Sequence, residues 1–534
     1  MRISGKLFHT VVLTFTAAAY AQEQAPLAPA SEFHASSELS VTQNDILGPG
    51  KASSSLSKGL NFLEVLNLYG NGTKGAWNYN YTVGAKATDD DRADANRVSL
   101  TNIQGRATNN THTVSVGDVF ESFSQYSLAT SLKGGSYRFL KEGTKLPEVS
   151  GVFGWAYPRW DSVWKDPATR SITRQASGLR LKQTINPDLW AAGSYVAAKD
   201  TGRLTDTDAL YDAKNYTFDF GYNPMPGLTM AGEHSTSDYE EATGATSAKG
   251  NATRMELVGD ADPSRVSLEY ENVEPDFFSA LGSASPDRRK MKTKWRYKYS
   301  KRITINSGLL WYRNNLDGRK TSGTTRNWKP EISAAIKKPF ASRPYSFADL
   351  SYKFDRKYGG GISGADHYTN LNYRDRFGEL DSDTNLGYTL YKTKTAVRNA
   401  KEMTFNTSLN SRYQVKAIVL KPSVNLGTWY SKDELADTTD KLYEYSLGLG
   451  FEAPDANLTS DLRLGANTLR KSDAAADDSD KFFASLSAYW RPKLMAKLND
   501  STIFLRAGYN SYAFTTAARD FREKSVTVGL NTSF

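Results

Sequence analysis

The chain has 534 residues, with 67 Lys and Arg against 58 Asp and Glu, a formal charge of +9, and no cysteine. The missing thiols exclude disulfides, thiolate metal centres and covalently attached c-type haem within the chain. A basic balance raises nucleic acid as a partner, but the cations are scattered and an export signal comes first. Anionic lipopolysaccharide or an anionic solute fits better, and no nucleic acid is expected.

Arg2 and Lys6 precede an apolar run, Leu7 to Tyr20, that is too short to cross a bilayer as a helix, and Ala19-Tyr20-Ala21 offers the small residues of a signal-peptidase site. Residues 1–21 are expected to be a signal peptide, and cleavage before Gln22 removes two cations and leaves +7. No lipid-attachment cysteine follows. Residues 22–31 (QEQAPLAPAS) read as a Pro/Ala-rich leader, and 32–534 as one domain. After Ala21 no stretch reaches the roughly 20 apolar residues of a transmembrane helix. A mean hydropathy of −0.55 suggests a soluble protein, but strands that alternate apolar and polar residues hide their apolar face from such averages.

Period-two alternation predicts strands beginning near positions 31, 60, 77, 97, 112, 132 and 147. The segment Val114 to Trp160 is the least regular. Within it Gly117, Asp118, Phe120, Ser122, Leu132 and Gly134 resemble, over a handful of residues, the early-barrel region of fimbrial ushers. Trp155, Tyr157, Trp160 and Trp164 form a candidate loop aromatic surface, either packed on a rim or available to stack on sugars.

Further along, Tyr216, Phe218, Phe220 and Tyr222 alternate with Thr217, Asp219 and Gly221, and Val266, Leu268 and Tyr270 with Ser267, Glu269 and Glu271. Lys292, Lys294, Arg296 and Lys298 alternate with Met291, Trp295, Tyr297 and Tyr299, which predicts a lumen-facing basic ladder. Such a ladder selects anions or pairs across strands with Glu256, Glu269 and Glu271. The same alternation returns at Tyr443 to Phe451 and at Ile503 to Tyr509. It ends with Val526, Val528, Leu530 and the terminal Phe534 on one face, which resembles the closing strand that the barrel-assembly machinery recognises.

Short turns are expected at 186–188, 223–227, 260–264, 300–301, 339–344, 375–379, 411–414, 453–457 and 491–500. They recur about every 38–40 residues, two strands plus two connections. Longer polar segments lie between them, such as 200–213, 238–250, 275–287 and 472–480. If Phe534 ends in the periplasm, the short turns fall inside and the long loops outside. The fold class is all-β, a transmembrane antiparallel up-and-down barrel of about 26 strands (24–26). A barrel this wide with no separate plug needs loops folded inward or another protein in its lumen.

Catalysis has little support. His34, His112, His234 and His367 show no zinc-binding spacing, and no GxSxG elbow occurs. His234-Ser235 is the one pair that could serve at a barrel rim. The acidic runs at Asp89, Asp90, Asp91 and Asp94, and at Asp473, Asp477, Asp478 and Asp480, suit solvated loops; a divalent ion is the alternative. No enzyme, resident metal or cofactor is expected.

In its patterning the chain resembles bacterial outer-membrane barrels in general. By strand number and lack of accessory domains it is similar to the MtrB/PioB group, the porin sheaths of porin–cytochrome electron conduits. That resemblance implies a multihaem cytochrome threaded through the lumen. The expected function is an outer-membrane channel for small anionic or saccharide solutes. The alternatives are a structural sheath around such a partner protein, or an export conduit for polysaccharide or protein. The expected surroundings are the bacterial outer membrane with its lipopolysaccharide.

Overall fold

The computed structural model describes residues 31–533 except 142, 158, 162–172, 203–209, 242–245, 394–397, 474–475, 494 and 496–500. The expected signal peptide, Trp164 and Phe534 lie outside these residues. The described chain forms 27 strand segments in one sheet, with every pairing antiparallel. Two of them, β20 (Asn399–Ser411) and β21 (Tyr413–Val415), pair in succession with β22 (Ile418–Asp433), so the wall has 26 staves. It closes where β1 (Ser31–Leu47) meets β27 (Phe521–Ser533), from Ser36 opposite Ser533 to Leu47 opposite Arg522. Strands about 4.8 Å apart, tilted by about 40°, make such a wall about 50 Å across.

Closure leaves no edge strand, and alternation turns one apolar face outward all the way round. Leu447 is 61 %, Ile332 52 % and Val528 52 % exposed on that face. A belt of this kind is stable against hydrocarbon, not water. The chain is an antiparallel β-barrel of the transmembrane type.

At the end where β1 begins and β27 stops, six reversals are made by two residues each: 75–76, 187–188, 226–227, 262–263, 378–379 and 416–417. Longer connections such as 48–58, 89–97, 274–287 and 315–325 gather at the opposite end, the outer end by the usual asymmetry of these barrels. The asymmetry is not strict, because 125–127 and 360–361 are short and outer while 140–147, 338–346 and 491–501 are long and inner. The turn expected at 411–414 is a break between β20 and β21. The reversal comes at Lys416, which takes a left-handed φ of 57° without any Gly, Asn or Pro to announce it.

One sector departs from the simple wall. Segment β5 (His112–Ser124) pairs with β4 (Val98–Thr108) only along Gln104–Thr108. Segment β6 (Leu128–Phe139) pairs with β7 (Glu148–Trp155) only along Lys133–Phe139. Beyond those points the β5–β6 hairpin leaves the wall and folds over the inner faces of β7, β8 (Thr173–Asn186) and β9 (Leu189–Gly202). Val119, Phe123, Leu128 and Leu132 pack there against Val152, Ala176, Val196 and Ala198. At its tip Tyr126 joins Ala252, Val273 and Phe277.

The outer connection 274–287, read from sequence as a polar loop, also turns inward. It buries Phe277 and Leu281 and bonds to the hairpin, Ala129 N donating to Leu281 O (2.9 Å) and Ser283 N to Gln125 O (2.7 Å). The wall therefore has a packed arc, from β5 to β13 (Ser264–Val273), and an open arc that takes up the remainder.

Candidate functional site

The inward face of each strand follows from register. On β13, Glu269 and Glu271 lie on the face of Ser267 and Arg265. Across the ladder they meet Lys292, Lys290, Lys294 and Arg296 of β14 (Arg288–Lys298). The four expected rungs, Lys292, Lys294, Arg296 and Lys298, thus share one face of β14, opposite Met291 and Trp295. On the other side they meet Leu310, Gly308, Asn306 and Thr304 of β15 (Ile303–Asn314).

The carboxylates expected to pair with this ladder are held by other cations. Lys290, one rung further out, places Nζ 3.0 Å from Glu269 and in contact with Glu271. Arg254 donates to Glu256 at 2.8 Å and approaches Glu269 at 3.8 Å. Lys298 binds Asp262 at 2.7 Å beside the turn. No carboxylate among the described residues lies within ion-pair distance of Lys292, Lys294 or Arg296. Lys294 and Arg296, with Arg265, Lys353, Glu331 and Asp349, line a concavity of about 860 Å³ on the inner wall.

Sequence reasoning missed Lys290, although it continues the same alternation, and missed Arg254, whose place opposite Glu271 depends on the register of β12 (Ser247–Ala261) with β13. It also missed Glu233, on the inner face of β11 (Leu228–Glu241). Its carboxylate accepts from the backbone N–H of Tyr126 (2.8 Å) and Gln125 (3.2 Å) at the hairpin tip.

Of the candidate aromatic residues, Trp155 and Trp160 do not share a face. Trp155 ends β7 edge-on to Phe153, on the membrane side. Trp160 donates its indole N–H to Asp118 (2.7 Å) under the Lys133 ammonium, at the root of the hairpin. His234 and Ser235 are adjacent in a strand and so face opposite ways. The histidine bonds Thr253 on the outer face, while the serine is fully buried and bonds Thr217 on the inner. The acidic runs are engaged within the chain: Asp90 caps Arg92 N (2.9 Å) and binds Ser57, Asp477 binds Thr516 and Arg519, and Asp480 binds Arg470. Val526, Val528 and Leu530 lie on the outer face of β27.

No family model matches the chain, and no curated protein matches it in sequence. Among solved structures it is similar to the outer-membrane transporter YddB from Escherichia coli (8 % identity, 94 % of this chain, 81 % of that one, TM-score 0.44). It is also similar to the siderophore receptor PirA from Pseudomonas aeruginosa (12 %, 96 % and 81 %, TM-score 0.41) and to OpdL from the same organism (12 %, 68 % and 99 %, TM-score 0.36).

Proposed function

We propose that the protein is an outer-membrane channel whose open arc passes small anionic solutes. The observation that carries this reading is the trio Lys292, Lys294 and Arg296, left without ion-pair partners on the inner wall while the neighbouring Glu256, Glu269 and Glu271 are satisfied by Arg254 and Lys290. Rungs two residues apart along a strand stand about 6.7 Å from one another, so a hydrated anion meets one cation after another. The closing strand presents Val526, Val528 and Leu530, with Phe534 after them, as the segment the assembly machinery reads.

The test is single-channel conductance with reversal potentials in asymmetric salt, on the full chain refolded into planar bilayers. An anion preference that falls toward neutrality in Lys292→Gln/Lys294→Gln/Arg296→Gln supports the reading; an unchanged reversal potential in that variant removes it. One observation favours a second reading, a sheath around a partner protein: the inward hairpin and loop cover only one arc of a wall about 50 Å across. Very large, unselective currents from the isolated barrel would decide for the sheath.

A further inference from the structure

The fold-over of the β5–β6 hairpin has a crease. Gly117, Gly134 and Gly154 are consecutive partners across β5, β6 and β7, one row of glycines at the level where the hairpin leaves the wall. A Cβ on Gly117 would meet Ile103 O at 2.1 Å, one on Gly134 would meet Phe153 O at 2.1 Å, and one on Gly154 would meet Lys133 O at 2.8 Å. Gly117 also has φ +97°, which side-chain-bearing residues rarely adopt. Only glycine lets the sheet double back here.

The departure of the hairpin leaves the outer end of β4 without a strand partner on that side, and Arg159, Trp160 and Asp161 bond there instead. Segment β4 continues to Val98, yet its ladder with β5 stops at Gln104 opposite Gly117, although β5 runs on to Ser124. In place of the next strand bond, the Asp118 carboxylate accepts from Ile103 N (2.9 Å) and from the Trp160 indole (2.7 Å), and pairs with Lys133 (2.7 Å). Besides the apolar packing, a small set of polar contacts holds the docked hairpin. Glu233 takes the tip's N–H groups and the connection 274–287 adds two backbone bonds. The Tyr126 hydroxyl is fully buried with no hydrogen-bond partner among the described residues, a cost relieved whenever the tip is hydrated. Outside its docked face, Phe120 is 67 % exposed.

We propose that Asp118–Leu132 is a hinged flap. Folded over, it narrows the lumen; unfolded along the glycine row, it re-enters the wall beside β4 and widens the lumen. The two states exchange one set of strand and apolar contacts for another, which is what a bistable element requires.

The proposal rests on the channel reading for its electrical test, so a second readout is independent of current. The chain has no cysteine, and Ser127 Oγ lies 3.5 Å from Ser194 Oγ of the wall, within reach of a disulfide. In bilayers, wild-type protein and reduced Ser127→Cys/Ser194→Cys should visit a discrete larger current level that the oxidised form loses. In detergent, single Ser127→Cys should react with a maleimide several-fold faster when Glu233→Gln is added, because the latch is weakened. Identical current levels in oxidised and reduced protein, or labelling indifferent to Glu233, would overturn the flap. A failure to conduct in every form, with Glu233-dependent labelling intact, would overturn the channel reading and leave the flap standing.

Discussion

The packed and open arcs share one outer face and differ only in the residues turned inward. From β7 to β13 the inner face carries Val152, Ala176, Val196, Ala198, Ala213, Ala252 and Val273, all buried. On the open arc the corresponding positions are Ser351, Asn370, Asn385, Asn406, Asn425 and Arg463, facing water. One residue in two therefore decides whether a sector of barrel is a channel wall or the floor of a core. In the packed arc a hairpin and a loop are drawn in by a small apolar patch.

The sharpest way to break that comparison is a matched pair of truncations. Phe277→Ala removes a side chain 1 % exposed beneath the hairpin tip and should cost about 3–5 kcal/mol in docking of the connection 274–287. Asn406→Ala on the open wall should stay within about 0.5 kcal/mol. Guanidinium unfolding midpoints, with protease nicking of the connection, measure both. Equal effects would mean that the packed arc is not a core.

A second contrast concerns charge. Arg174 grips Asp200 with two bonds, at 2.7 and 3.0 Å, and also donates to Ala280 O (2.8 Å), tying the inward connection to the wall. Asp200 is buried, so Arg174→Met strands a carboxylate and should destabilise by about 3 kcal/mol. Lys298→Ala breaks an exposed pair with Asp262 on the other side of the boundary and should cost less than about 1 kcal/mol. A large loss for Lys298→Ala, or none for Arg174→Met, would reverse the assignment of the two arcs.

The barrel was legible because its outer face must stay apolar on every stave. The alternation in Tyr216 to Tyr222 or Tyr443 to Phe451 therefore survives without tertiary knowledge. Strand starts near 60, 97 and 147 fall within a residue of those observed. The flap was hidden by the same rule. Val119 and Leu132 look like one more membrane face, and only register shows that they turn onto the inner wall. Phe277 and Leu281 sit in a connection whose Pro, Ser and Asp content reads as solvated. Gly117 and Gly134 stand out in the sequence only within a short usher-like stretch; their meaning appears when Gly154 joins the row. At the ladder, alternation supplied the shared face of Lys292 to Lys298, whereas the pairing of the neighbouring glutamates depends on two registers that spacing does not contain.

The smallest expected effect lies at the seam between the arcs, where residues 156–161 cross from β7 toward β4. There Asp94 accepts from Lys86 (2.7 Å), Arg159 (2.8 and 3.1 Å), Asn96 N (2.9 Å) and Ser99 (3.0 Å), while Asp161 holds Arg159 and Asn96. Burial alone would raise the Asp94 carboxyl, but these donors outweigh it and hold the group well below the usual carboxylate range. A group depressed in the folded state contributes its stability above its unfolded value, and loses it only as pH falls through the folded one. The seam should therefore keep its hydrogen-exchange protection at 98–103 and 156–161 from neutral pH down through the range where an ordinary aspartate protonates. Asp94→Asn should lose that protection already at neutral pH, with the change confined to the seam. A wild-type seam that opens with a midpoint near 4, as an unperturbed aspartate would, would show that these donors do not hold Asp94 charged. The bridging of the gap between β4 and β7 would then have to be credited to the Trp160–Asp118 contact instead.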